Sequence, residues 1–94
     1  MFDKVVLLKK RPYAQPQDDF LITAVIYHQH ISSVSLFDEN SPGGGVFIQT
    51  SGDKFRLYAN FYIQFWNGPE LLKMFLNDGS PASVASILEA FATL

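Results

Sequence analysis

Residues 54 to 66, KFRLYANFYIQFW, alternate in character over thirteen positions. Phe55, Leu57, Ala59, Phe61, Ile63 and Phe65 are all apolar. Lys54, Arg56, Tyr58, Asn60, Tyr62, Gln64 and Trp66 between them are cationic, polar or aromatic with a polar tip. Successive side chains of a β-strand point to opposite faces, so a period of two requires a strand with one face in a core. The other face carries rigid amphipathic aromatics, cations and amides, the residue types that recognition surfaces favour. At ~3.3 Å per residue a regular strand of this length would run roughly 43 Å, about twice the usual length. A bend, bulge or early end near Asn60 is therefore expected. It would divide the polar face into two patches.

The remaining chain reads as strands and then helices. Val5–Lys10 forms a first strand and Phe20–Gln29 a second. The second is apolar on both faces, with Phe20, Ile22, Ala24 and Ile26 on one and Leu21, Thr23, Val25 and Tyr27 on the other. That pattern belongs to a central strand covered on both sides. His28 to His30 suits a tight reversal or a bulge. Ile31–Phe37 and Val46–Thr50 make two further strands, and Ser51-Gly52-Asp53 a hairpin turn into residue 54. Loops are expected at Arg11–Asp19, which holds Pro12 and Pro16, and at Asp38–Gly45, which ends in three glycines.

Asn67-Gly68-Pro69-Glu70 has the form of a helix start, with proline in the first turn. Leu71, Leu72, Phe75 and Leu76 supply an apolar stripe, and Gly79 a left-handed cap. Ser80-Pro81 opens a second helix whose Val84, Ile87, Leu88 and Phe91 share one face. The expected core is Val6, Leu8, Ile22, Ala24, Ile26, Val34, Leu36, Phe55, Leu57, Phe61, Leu72, Phe75, Val84, Ile87, Leu88 and Phe91. Together these elements predict a single α+β domain over residues 1–94. It has about five mainly antiparallel strands in one sheet, followed by two C-terminal helices packed on one face.

Composition narrows the function classes. Seven Lys and Arg against nine Asp and Glu give a formal charge of −2, which argues against a general phosphate-backbone binder. Cysteine is absent, so disulfide and thiol chemistry are excluded and a reducing cytoplasm is the expected location. The apolar run Val5–Leu8 is too short for a signal-peptide core. No stretch of the sequence approaches a membrane span.

No constellation of residues specifies catalysis. No serine sits in a nucleophile elbow, and Asp18 and Asp19 are adjacent rather than paired across a site. The glycines of SPGGG lack the spacing and the Lys of a phosphate loop. His28 and His30, with Asp38 or Glu39, would make at best an incomplete metal site. Lys9-Lys10-Arg11 before Pro12 suits protection of a strand edge. The expected function is therefore non-enzymatic, with no cofactor, metal or small-molecule substrate. We expect a small binding protein acting through protein–protein contacts, as an inhibitor, immunity-type protein or adaptor, with self-association included. The partner-binding residues would be Lys54, Arg56, Tyr58, Asn60, Tyr62, Gln64 and Trp66. The alternative is single-stranded nucleic acid, with Tyr58, Tyr62 and Trp66 stacking on bases beside Lys54 and Arg56.

Overall fold

A computed structural model describes residues 1–10, 20–37 and 44–94. Among the described residues seven strands precede one helix: β1 (Lys4–Lys10), β2 (Phe20–Tyr27), β3 (Ile31–Phe37), β4 (Gly45–Thr50), β5 (Lys54–Leu57), β6 (Phe61–Asn67), β7 (Glu70–Asn77) and α1 (Pro81–Thr93). A 3-10 turn at His28–His30 makes the reversal between β2 and β3. The expected loop at 11–19 lies outside the described residues, as does residue range 38–43 of the other.

The α+β, mostly antiparallel character is present, but the single five-stranded sheet is not. Four strands form sheet A in the order β2-β1-β6-β7, and three form sheet B in the order β3-β4-β5. The division falls inside the alternating stretch. Asn60 adopts φ 70, a left-handed conformation that asparagine tolerates better than most residues. The amide of Phe61 returns to the Tyr58 carbonyl at 3.3 Å, closing a turn. One long pattern therefore serves as β5 in sheet B and β6 in sheet A.

The first of the two expected helices is β7 instead. Asn67 pairs with Glu70 across a two-residue turn in which Gly68 has φ 56 and Pro69 follows. Glycine at positive φ in the first central position suits a tight hairpin, and proline's fixed negative φ is compatible with the second. Leu71, Leu72, Phe75 and Leu76 resemble a helical stripe because β7 carries apolar residues on both faces. A register shift between Phe65 and Trp66 helps to distribute them. The last helix forms as expected. The Ser80 hydroxyl accepts from the Ser83 amide at 3.1 Å, and Pro81 occupies the first turn.

One core draws on the inner faces of both sheets and on α1. Phe2, Val5, Leu7, Ile26, Ile63 and Phe65 come from sheet A and its N-terminal lead, Val46, Ile48 and Leu57 from sheet B, and Val84, Ile87 and Ala90 from the helix. Two members of the expected core are exposed, and two more, Val6 and Leu8, are buried on the outer side of sheet A instead of within this core. Ile22 is 61% exposed on the open face of sheet A, and Leu36 is 52% exposed on β3, an edge strand of sheet B. Strand β2 is likewise an edge strand, not a central one, so its second apolar face is left uncovered.

The approach to α1 gives a pH-dependent element. Hydrogen bonds from Ser80, with a smaller one from Ser83, hold the Asp78 carboxyl down at about 2 from its ordinary 3.8. A depressed folded-state value means that stability from this group is complete above about pH 4 and is lost as pH falls towards 2. Asp78→Asn should therefore flatten the pH dependence of the urea midpoint across that window. An unchanged slope would show that the cap carries no linkage.

Candidate functional site: the open face of sheet A

Strand register assigns the faces of sheet A. On β1, Val5 and Leu7 point into the core while Lys4, Val6, Leu8 and Lys10 share the outer side. Opposite them on β2 stand Tyr27, Val25, Ile22 and Phe20, and on β6 Trp66, Gln64 and Tyr62. Across β6, the β7 residues Leu71, Met74 and Leu76 complete the row. This outer side is an apolar four-stranded surface that no described element covers.

Its relief follows from exposure. Val6 and Leu8 on the central strand are buried, whereas Ile22, Val25 and Tyr27 on β2 and Leu71, Met74 and Leu76 on β7 are exposed. The exposed side chains thus lie on the two edge strands and the buried ones on the central strand. The Phe20 and Tyr62 rings meet edge-on at 5.0 Å from the two sides of β1. Together with Ile22 they explain how Leu8 is shielded on an open face.

Three of the polar side chains on this face, Trp66, Gln64 and Lys4, are already engaged. The Trp66 indole N–H donates to Gln64 Oε1 at 3.0 Å, and Gln64 Nε2 lies 3.7 Å from the Met74 sulfur. Lys4 Nζ donates to the Gly68 carbonyl at 2.9 Å, lies 4.0 Å from Asp3 Oδ1 and stands 5.8 Å from the Trp66 ring centre. Asp3 in turn accepts from the Gly68 amide at 2.8 Å. Satisfied polar groups lower the desolvation cost of covering the surface, because fewer are left without a partner.

The sequence-derived binding residues fall into two groups. Tyr62, Gln64 and Trp66 lie together on the open face of sheet A. Lys54 and Arg56 lie on the outer face of sheet B, opposite Gln49 and Phe47. There the Arg56 guanidinium stands 5.5 Å from the Phe47 ring centre. Ser33 and Ser35 share that side, with the Ser33 hydroxyl donating to Gln49 Oε1 at 2.9 Å. Tyr58 and Asn60 occupy the intervening turn, and the Tyr58 ring sits 6.4 Å from that of Phe61. The cations and the Tyr62–Trp66 aromatics therefore do not form one continuous track.

Sequence reasoning missed the contributions of β2 and β7 to the surface. Their signal was the apolar second face of Phe20–Tyr27, together with Leu71, Met74 and Leu76 beyond the hairpin. His28 and His30 are both exposed. The His28 ring packs edge-on to Phe2 at 4.8 Å and His30 lies 6.4 Å from Tyr27. Asp38 and Glu39 lie outside the described residues. Among the described residues no group of three metal-ligating side chains converges. A hollow of about 250 Å³ between α1 and β7 is lined by Lys73, Phe75, Ser86, Glu89 and Thr93. It lies on the helix side of sheet A, away from the open face. Among the described residues no helix is long and apolar enough to cross a membrane. The chain matches no family model, no curated protein and no solved structure.

Proposed function

We propose that this chain is a small non-enzymatic binding protein whose contact surface is the outer face of sheet A, centred on Tyr62, Gln64 and Trp66. One observation carries the reading. A contiguous, largely apolar face spans four strands, and the polar groups of Trp66, Gln64 and Lys4 on it already have partners. Contiguous exposed apolar surface on a soluble protein usually marks a contact site, and aromatic and Met side chains are enriched there. Covering it would remove Ile22, Val25, Met74 and Leu76 from water, at about 25 cal/mol per Å² of apolar surface buried. The absence of cysteine suits action in a reducing cytoplasm.

The second reading is single-stranded nucleic acid, and it rests on the outer face of sheet B. There Lys54 and Arg56 sit side by side with no ion pair to a described residue, next to the Phe47 ring. Two cations supply only a small counterion-release term.

The test is to identify a partner by purification from the native host and then to reconstitute binding from the two purified components. Ile22→Lys should weaken that binding at least ~10-fold, the effect of placing an unpaired charge in an apolar contact. Lys54→Ala should leave it unchanged. A single-stranded oligonucleotide that binds with steep salt dependence, and loses affinity in Lys54→Ala but not in Ile22→Lys, would replace the protein reading with the nucleic-acid one.

A further inference from the structure

We infer that the occupant of the open face of sheet A is a second copy of this chain, packed sheet on sheet. The inference rests on the contact reading above and names its partner.

The sequence pattern of β1 and β2 is the first support. Val5 to Leu8 are all buried, alternating between two faces, and β2 carries apolar residues on both sides. Strands of this kind belong to sheets covered on both faces. Here α1 and sheet B cover only the inner one. A second layer would cover Ile22 and Val25, which stay exposed on β2, and no described part of the chain supplies it.

The dimensions suit another sheet. Four strands ~4.8 Å apart and seven residues at ~3.3 Å give a flat footprint of roughly 440 Å² per copy. The relief of Ile22, Val25, Tyr27, Leu71, Met74 and Leu76 adds to that area. The flat footprint alone is about half of the ~800 Å² per partner of a standard interface, so even with those side chains the seam belongs among the small, weakly associating ones. An identical face has the matching width and stacks at ~10 Å, the usual spacing of packed sheets. Among the described residues no carboxylate belongs to the register of this face, so self-docking brings no acidic pair together.

The edges of the sheet are less suited to pairing than its face. Strand β2 breaks register between Leu7 and Leu8, and the Thr23 hydroxyl donates to the Leu7 carbonyl at 3.0 Å. Strand β7 breaks register beside Phe65 and Trp66. Such irregularities twist an edge away from strand addition. On the face itself the cations Lys4 and Lys10 sit at the two ends of β1, away from its apolar middle.

Sedimentation of the full chain over a concentration series is the test. An interface at the lower size limit should give a reversible monomer–dimer equilibrium, with a midpoint on the order of micromolar. Ile22→Lys and Met74→Lys should each weaken the dimer by ~100-fold or more, because each places two unpaired charges in the buried seam. Both side chains are exposed in the monomer, so the circular dichroism spectrum should not change. Ser33→Lys, on the outer face of sheet B, should dimerise like the wild type. A wild-type chain at monomer mass throughout the series overturns the inference. If Ile22→Lys then still abolishes binding to a purified partner, the contact reading stands without it. A dimer that survives both face substitutions overturns the inference and removes self-association as support for the contact reading.

Discussion

Phe65→Ala should lower the stability of the protein by about 3–5 kcal/mol, the largest single loss expected from any described side chain. Phe65 is completely buried on β6, between sheet and helix. Its ring meets Phe2 at 5.1 Å, Phe91 at 4.9 Å and Phe75 at 5.8 Å, all close to edge-on. Truncation removes the apolar transfer energy, three edge-to-face contacts and the filling of a site that four elements share. Collapse around the cavity is restricted, because Phe2 is held by its backbone bond to Leu94 and Phe91 by the helix. A domain of this size typically has about 5–15 kcal/mol in total, so the variant should sit near the edge of folding. The check is the urea midpoint, with Leu71→Ala on the exposed flank as a control that should shift it little. A midpoint near wild type for Phe65→Ala would show that the aromatic cluster is not the centre of the core.

Asn77 should be the most sensitive polar position. It is fully buried, at the end of β7. Its Nδ2 donates to the Leu57 carbonyl at 2.9 Å, and its Oδ1 accepts from the Gly79 amide at 3.0 Å and the Ser83 hydroxyl at 3.4 Å. Its own carbonyl accepts from the Asn60 amide at 2.5 Å. One side chain thus joins the end of sheet B, the end of sheet A and the start of α1. Asn77→Ala leaves the Leu57 carbonyl without this donor, at about 1–3 kcal/mol for each buried group left unsatisfied. Asn77→Asp should cost more at neutral pH, since a carboxylate cannot donate to Leu57 and brings a buried charge. Burial raises the value of such a carboxyl, so its deficit against wild type should shrink as pH falls and the protonated form regains a donor. A deficit that does not depend on pH would exclude this account.

The legible parts of the fold were those governed by short-range chemistry. Ser80-Pro81 and the spacing of Val84 and Ile87 specify a helix through its cap and its face, and it forms there. Ser51-Gly52-Asp53 closes the β4–β5 hairpin, with Thr50 bonding to Asp53. The excess length of the alternating stretch pointed to Asn60, where the chain does turn. Strand β7 was misread because its apolar residues alternate between a core and an open face, and a period of two with both faces apolar loses its signature. Gly68-Pro69 added to the error, since the pair suits both a helix entry and a tight hairpin. The division into two sheets depends on long-range pairing of β1 with β6, which no local pattern encodes.

For the candidate site, the sequence placed Tyr62, Gln64 and Trp66 on one strand face but joined them to Lys54 and Arg56, which the turn at Asn60 sends to the other sheet. Ile22, Val25 and Met74 were not recognised as surface because an apolar side chain gives no sign of whether its face is covered. That information lies in the number of layers, which only the tertiary arrangement reveals.

The backbone bond from Phe2 to Leu94, 2.6 Å long, places the first strand's lead beside the last turn of the helix. Both positions belong to the core side of sheet A, behind the surface that carries Tyr62 and Trp66. Residues 2 and 94 could therefore be linked by a short covalent bridge. Such a ring would lose chain entropy in the unfolded ensemble while leaving the open face of sheet A clear. A fluorophore or affinity handle attached near either position would likewise emerge on the helix side, away from the exposed strands.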